Sequence, residues 1–68
     1  MSNFRTGDTV IVTVFGDNGK QFSYQATLDY IPHDVGDWFE VSVKTEAGID
    51  YVKLNPMSTR LHSITKKT

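Results

Sequence analysis

The 68 residues predict an all-β fold: one small domain of five short antiparallel strands curled into a barrel. Three observations carry that expectation. Apolar and polar residues alternate without interruption over residues 21–31, the two-residue period of a half-buried strand. No ten-residue stretch has the 3.6-residue period of an amphipathic helix. Turn-forming residues recur between short runs of β-branched and aromatic residues, as in a small β domain.

The long run, QFSYQATLDYI, places Phe22, Tyr24, Ala26, Leu28 and Tyr30 on one side and Gln21, Ser23, Gln25, Thr27 and Asp29 on the other. It is longer than the usual strand of about five or six residues. Such a strand bends, so that its first half pairs with the segment before it and its second half with the segment after.

Before it, Gly7 and Asp8 signal a turn into a first strand over residues 9–15 (TVIVTVF), whose β-branched side chains suit a pleated surface. Val10, Val12 and Val14 share the inner face, and Thr9, Ile11, Thr13 and Phe15 the outer. The segment 16–20, GDNGK, reads as a three-residue hairpin loop with Gly19 in the left-handed position. That register sets Val14 opposite Phe22, Val12 opposite Tyr24 and Val10 opposite Ala26. A two-residue loop would turn every apolar side chain to the wrong face, so the pattern selects the bulged form. Phe4, in a polar N-terminal arm over residues 1–6, can plug one end of the core.

Pro32 has no backbone donor and ends the long strand, leaving residues 32–37 as a loop. A third strand follows over residues 38–44 (WFEVSVK), with Phe39, Val41 and Val43 inward. Residues 45–48 turn the chain into a fourth strand, 49–54 (IDYVKL). A tight turn there sets Val41 opposite Val52, Phe39 opposite Leu54, Ser42 opposite Tyr51 and Glu40 opposite Lys53. The last pair joins opposite charges on the solvent face, which favours this register. Residues 55–58, NPMS, make one tight turn into a last strand over residues 59–64, and residues 65–68 are left as a mobile basic tail.

The order GDTVIV, then YQATL, then FEV, then YVKL with a turn before Leu61 resembles the small SH3-like barrels, with the Tudor and KOW groups as the nearest types. The resemblance spans most of the chain and implies a five-stranded antiparallel SH3-like barrel with one short turn before the last strand. Tudor-like modules cage methylated side chains with aromatic residues around the first and third hairpin ends. Phe15 lies near the first of these, whereas residues 45–48 bring no aromatic. KOW modules carry further glycines where this chain has Phe22 and Tyr24. What the resemblance implies is therefore the fold.

Composition narrows the function classes. There is no cysteine, which removes disulfides and thiolate metal sites and points to a reducing, cytoplasmic setting. A net charge of -1 lacks the basic excess usual in nucleic-acid binders. The N-terminus has no charged region followed by an apolar run, and no segment reaches membrane-spanning length, so neither a signal peptide nor a membrane association is expected. No nucleophile elbow or phosphate loop is present, no cofactor is implied, and an enzyme is not expected. Size suggests a small regulatory or inhibitory protein of a bacterium or its phage.

His33, Asp34 and Asp37 share a loop with Asp29 close by. Imidazole and carboxylates can bind a divalent cation or exchange protons, but their spacing matches no known ligand motif, and hydrogen bonds within the turn account for Asp34 and Asp37. His62 falls on an outward or rim position with no evident partner. The outer side of strands three and four is more informative. Trp38, Glu40, Ser42 and Lys44 line up beside Ile49, Tyr51 and Lys53. Tryptophan and tyrosine anchor protein interfaces, so the leading expectation is a protein-interaction module docking through Trp38, Lys44, Ile49, Tyr51 and Lys53. The bland alternative is that Trp38 folds over the barrel end and Tyr51 only covers a strand. A nucleic-acid-binding barrel using Trp38, Lys44, Tyr51, Lys53 and Arg60 is the second functional expectation, since aromatics stack bases and lysines neutralise phosphates. Lys66 and Lys67 would extend that basic stripe. An open sheet edge, with Ile11, Thr13 and Phe15 on an apolar-leaning outer face, would also permit a homodimer by strand pairing.

Overall fold

A computed structural model describes residues 4–67 of the chain. It is all-β: β1 (Thr9–Phe15), β2 (Gln21–Tyr30), β3 (Phe39–Thr45), β4 (Gly48–Leu54) and β5 (Leu61–Lys66) form one antiparallel sheet in the order β4-β3-β2-β1-β5. No helix occurs among the described residues.

The two hairpins have the registers that the apolar pattern selects. Val10, Val12 and Val14 pair with Ala26, Tyr24 and Phe22, and Phe39, Glu40, Val41 and Ser42 pair with Leu54, Lys53, Val52 and Tyr51. In the first turn, Gly19 N donates to Gly16 O at 3.0 Å and Gly16 N to Lys20 O at 2.7 Å, with Gly19 at φ 79°. This is the three-residue loop with a glycine bulge. Phe4 packs against the core and meets Phe39 edge-on, with ring centroids 6.3 Å apart. The rest of the expected arm before it, residues 1–3, lies outside the described residues, as does Thr68.

The long strand does serve both neighbours. β1 pairs with Gln21 through Thr27, and β3 pairs with Thr27, Leu28 and Tyr30. Near the changeover, Leu28 N donates to Asp8 O and Gly7 N to Leu28 O, so this short stretch is bonded on both sides. The ladder with β3 shifts between Leu28 and Tyr30, leaving Asp29 as an extra residue. A bulge of this kind bends the strand and re-aims the side chains beyond it.

Val10, Val12, Ala26, Leu28, Val41 and Leu54 form the buried core. Leu61 and Ile64 of β5 and Val52 of β4 pack against it as well, so both ends of the sheet send side chains to one centre. The hydrogen-bonded ladders stop at those ends. β4 and β5 are the two edges, and closure into a barrel is not seen in the pairing.

Four expectations need correction. Tyr30 does not continue the inner face: past the bulge it pairs with the outward Glu40, and Ile31 packs on the core instead. Phe22 faces Val14 but is 56% exposed; its ring lies over Gly16, where a Cβ would meet it at 2.6 Å. Residues 55–60 make two successive turns rather than one, closed by Ser58 N to Asn55 O and Leu61 N to Ser58 O, so the last strand begins at Leu61 instead of Thr59. The basic tail is not free either. Lys66 pairs with Val10, Lys67 N donates to Thr9 O, and Lys67 Nζ donates to Gln25 Oε1 at 2.7 Å.

Candidate functional site

The loop before β3 sets the position of Trp38. Asp37 Oδ2 accepts hydrogen bonds from Tyr30 Oη at 2.9 Å and from His33 N at 3.3 Å, while Asp37 N donates to Asp34 O at 3.1 Å. Gly36, at φ 94°, takes a backbone conformation that side-chain-bearing residues seldom adopt. The His33 ring stands edge-on to Tyr30, with centroids 5.6 Å apart. The loop is thereby folded back on the end of β2 and delivers Trp38 one residue ahead of β3, which runs over Phe39–Thr45 rather than the expected 38–44.

Hydrogen bonding also moves the titration of both partners. The Tyr30 hydroxyl and then the His33 amide lower the Asp37 carboxyl below its ordinary value. The same bond to Asp37 is the main reason the Tyr30 phenol is raised. Asp37 is thus engaged in holding the loop. Asp29, grouped with it in the sequence, lies elsewhere and accepts from Ser42 Oγ at 3.3 Å. Among the described residues, no group of three or more His, Cys, Asp or Glu is placed to hold a metal ion.

Trp38 is 45% exposed and stands between two clefts. One, of about 410 Å³, is lined by Tyr30, Gly36, Asp37, Trp38, Glu40 and Lys53. The other, of about 260 Å³, has Val14, Leu54 and Leu61 on its floor and Trp38, Lys53, Asn55, Ser58 and Arg60 around them. Lys53 reaches both because its register opposite Glu40 puts it on the outer side next to Trp38. The two turns after β4 complete the second cleft. Asn55 Oδ1 accepts from Met57 N at 2.9 Å and Ser58 Oγ from Arg60 N at 3.2 Å, which fixes the path bringing Arg60 beside Leu61.

The residues singled out in the sequence therefore divide. Trp38, Lys53 and Arg60 come together. Ile49 and Tyr51 continue along the outer face of β4, 52% and 78% exposed, with Lys44 opposite Ile49. Lys44 lines a separate recess with Thr9, Gln25, Thr27 and Ser42. Two cations of the expected basic stripe are paired with carboxylates: Arg60 Nη1 is 3.0 Å from Asp17 Oδ1 and Lys66 Nζ is 3.6 Å from Asp8 Oδ2. His62 has a partner after all. As the extra residue opposite the Thr13–Val14 step of β1 it meets Phe15 edge-on at 5.2 Å, and its Nδ1 is 3.1 Å from Ser63 Oγ.

Sequence reasoning missed Tyr30, Asp37, Leu54 and Leu61 as cleft residues. Simple alternation assigned Tyr30 to the core, and no glycine marks the bulge that turns it outward. Leu54 and Leu61 were legible as apolar strand residues, but their meeting depends on how the sheet curls. Comparison with protein-family models, with curated proteins and with solved structures gives no match to this chain.

Proposed function

We propose that this chain is a small non-enzymatic SH3-like barrel that works as a protein-interaction module, docking a partner through Trp38 and the outer face of β3 and β4. The observation that carries this reading is the half-exposed Trp38 between two adjoining clefts that share Lys53. A large rigid aromatic beside pockets is the usual anchor of a protein interface. Tyr51 and Ile49 extend the apolar surface, and Lys44 and Lys53 supply its polar rim. Support for the barrel is the sharing of β2 between β1 and β3 about a bulge, with both sheet edges contributing to one core. The absence of cysteine favours a cytoplasmic setting. No helix among the described residues is long and apolar enough to cross a membrane.

Nucleic acid is the weaker reading of this face. Asp37 and Glu40 line the larger cleft beside Trp38, so phosphates would meet carboxylates there. The unpaired outer edges of β4 and β5 also suit strand addition by a second copy.

Trp38→Ala tests the docking reading. The variant is expected to keep a cooperative thermal transition and to lose the protein retained from lysate by the wild-type chain. Loss of the transition would instead make Trp38 a structural residue. Oligonucleotide binding that weakens steeply with salt, with a slope flattened by Lys53→Gln, would transfer the face to nucleic acid.

A further inference from the structure

Building on the interaction-module reading, we infer that the smaller cleft takes an extended acidic segment of a partner protein, with an apolar side chain on the Val14–Leu54–Leu61 floor and a carboxylate against Arg60. Its volume of about 260 Å³ is below the roughly 300–1,000 Å³ of sites for small molecules and cofactors, and suits one or two side chains. The floor is aliphatic and Trp38 forms a wall. An apolar side chain seated there leaves water from both surfaces.

Charge selects what accompanies that side chain. The lining holds two cations, Lys53 and Arg60, and no carboxylate. On the far side of Trp38 the neighbouring cleft shares Lys53 but adds Asp37 and Glu40, so carboxylates outnumber cations there. A basic segment would be drawn there, away from the aliphatic floor. An acidic one is repelled from that side and attracted to the Arg60 end, which also sets its direction. Arg60 is free to exchange partners. Its bond to Asp17 joins side chains that are 71% and 91% exposed, a pair of little net worth, and its planar fork can grip an incoming carboxylate with two bonds. Asp17 thus acts as a stand-in for the partner's acid.

The probes are two capped hexapeptides, one of alternating leucine and glutamate, the other of leucine and lysine, titrated into the isotope-labelled full chain. The acidic peptide should shift the amides of Val14, Leu54 and Leu61 and the Trp38 indole in a saturable way, more weakly at higher salt. Arg60→Gln should weaken it about fivefold, and Asp17→Asn, which removes a weak competitor for Arg60, should tighten it by no more than about twofold. Equal binding of the lysine peptide, or no shift at those residues with the acidic one, would overturn the assignment. So would displacement of the acidic peptide by a thymidine oligonucleotide. Self-association abolished by Val35→Ser would also overturn it, because Val35, wholly exposed and flanked by Asp34 and Gly36, would then be filling the cleft of a second copy. If the acidic peptide fails while Trp38→Ala still loses its lysate partner, the interaction module stands and only this ligand chemistry falls.

Discussion

Gly48 is the residue on which the second hairpin depends. The loop between β3 and β4 has only Glu46 and Ala47 outside the strands, and two-residue hairpins usually need positive φ at their central positions. Neither central residue has it. The turn instead places the unusual backbone at Gly48, with φ 129°, while Thr45 Oγ1 accepts from Ala47 N and donates to Gly48 O. Nothing lies within 4 Å of a Cβ built there, so the penalty for Gly48→Ala is conformational alone. A loss of about 1–3 kcal/mol is expected in urea denaturation. A neutral result would mean that the turn relaxes to another form.

Tyr30 and Asp37 give a second test at this scale. Asp37 is lowered from its ordinary 3.8, so its contribution to stability is present above that value and disappears as pH falls through the depressed one. Tyr30 is raised from its ordinary 10.0, so its contribution is present below that value and disappears as pH rises past the raised one. Between these limits the bond holds the loop that presents Trp38. Tyr30→Phe should bring the Asp37 carboxyl, followed by nuclear magnetic resonance, back up toward its ordinary value. It should also flatten the fall of the melting temperature below about pH 4. An unchanged Asp37 titration would remove the phenol as the cause.

Among the elements, β5 is the one whose role the polar C-terminal sequence disguises. Thr65 and Lys66 look like tail residues, yet they pair with Ile11 and Val10, and Lys67 donates to Thr9. A strand at the edge of a small sheet is held by its ladder and by whatever it buries. Here Leu61 and Ile64 supply the buried part. A chain ending at Ile64 should therefore melt at a clearly lower temperature while keeping its β-type circular dichroism. An unaltered melting temperature would return residues 65–67 to the status of a tail. The β2 bulge is the other decision at this scale. It lets one strand bond to β1 and then to β3, and it turns Tyr30 from the core toward the Trp38 cleft.

At the scale of the whole molecule, six buried apolar residues among those described are the centre of a 68-residue chain with no cysteine to form a disulfide. A domain of this size is held by roughly 3–10 kcal/mol. Leu28 is fully buried and lies where β2 passes between its two neighbours. Leu28→Ala is expected to cost about 2–5 kcal/mol, a large part of the total, and to shift the urea midpoint strongly or leave the chain unfolded. A loss under about 1 kcal/mol would place the centre of the core elsewhere.

The positions of the first four strands, to within a residue, the two hairpin registers and the identity of most core residues were determined by the sequence alone. Period-two alternation and turn chemistry are local, and a one-residue slip would expose every valine between Val10 and Val14. The bulge at Asp29, the pairing of residues 65–66 and the meeting of Leu54 with Leu61 were decided only by tertiary structure. Each depends on how strands far apart in the chain curl over a shared core, and no local pattern encodes that curvature. The smaller cleft beside Trp38 exists for the same reason: Leu54 of β4 and Leu61 of β5, the two edges of the sheet, both line it.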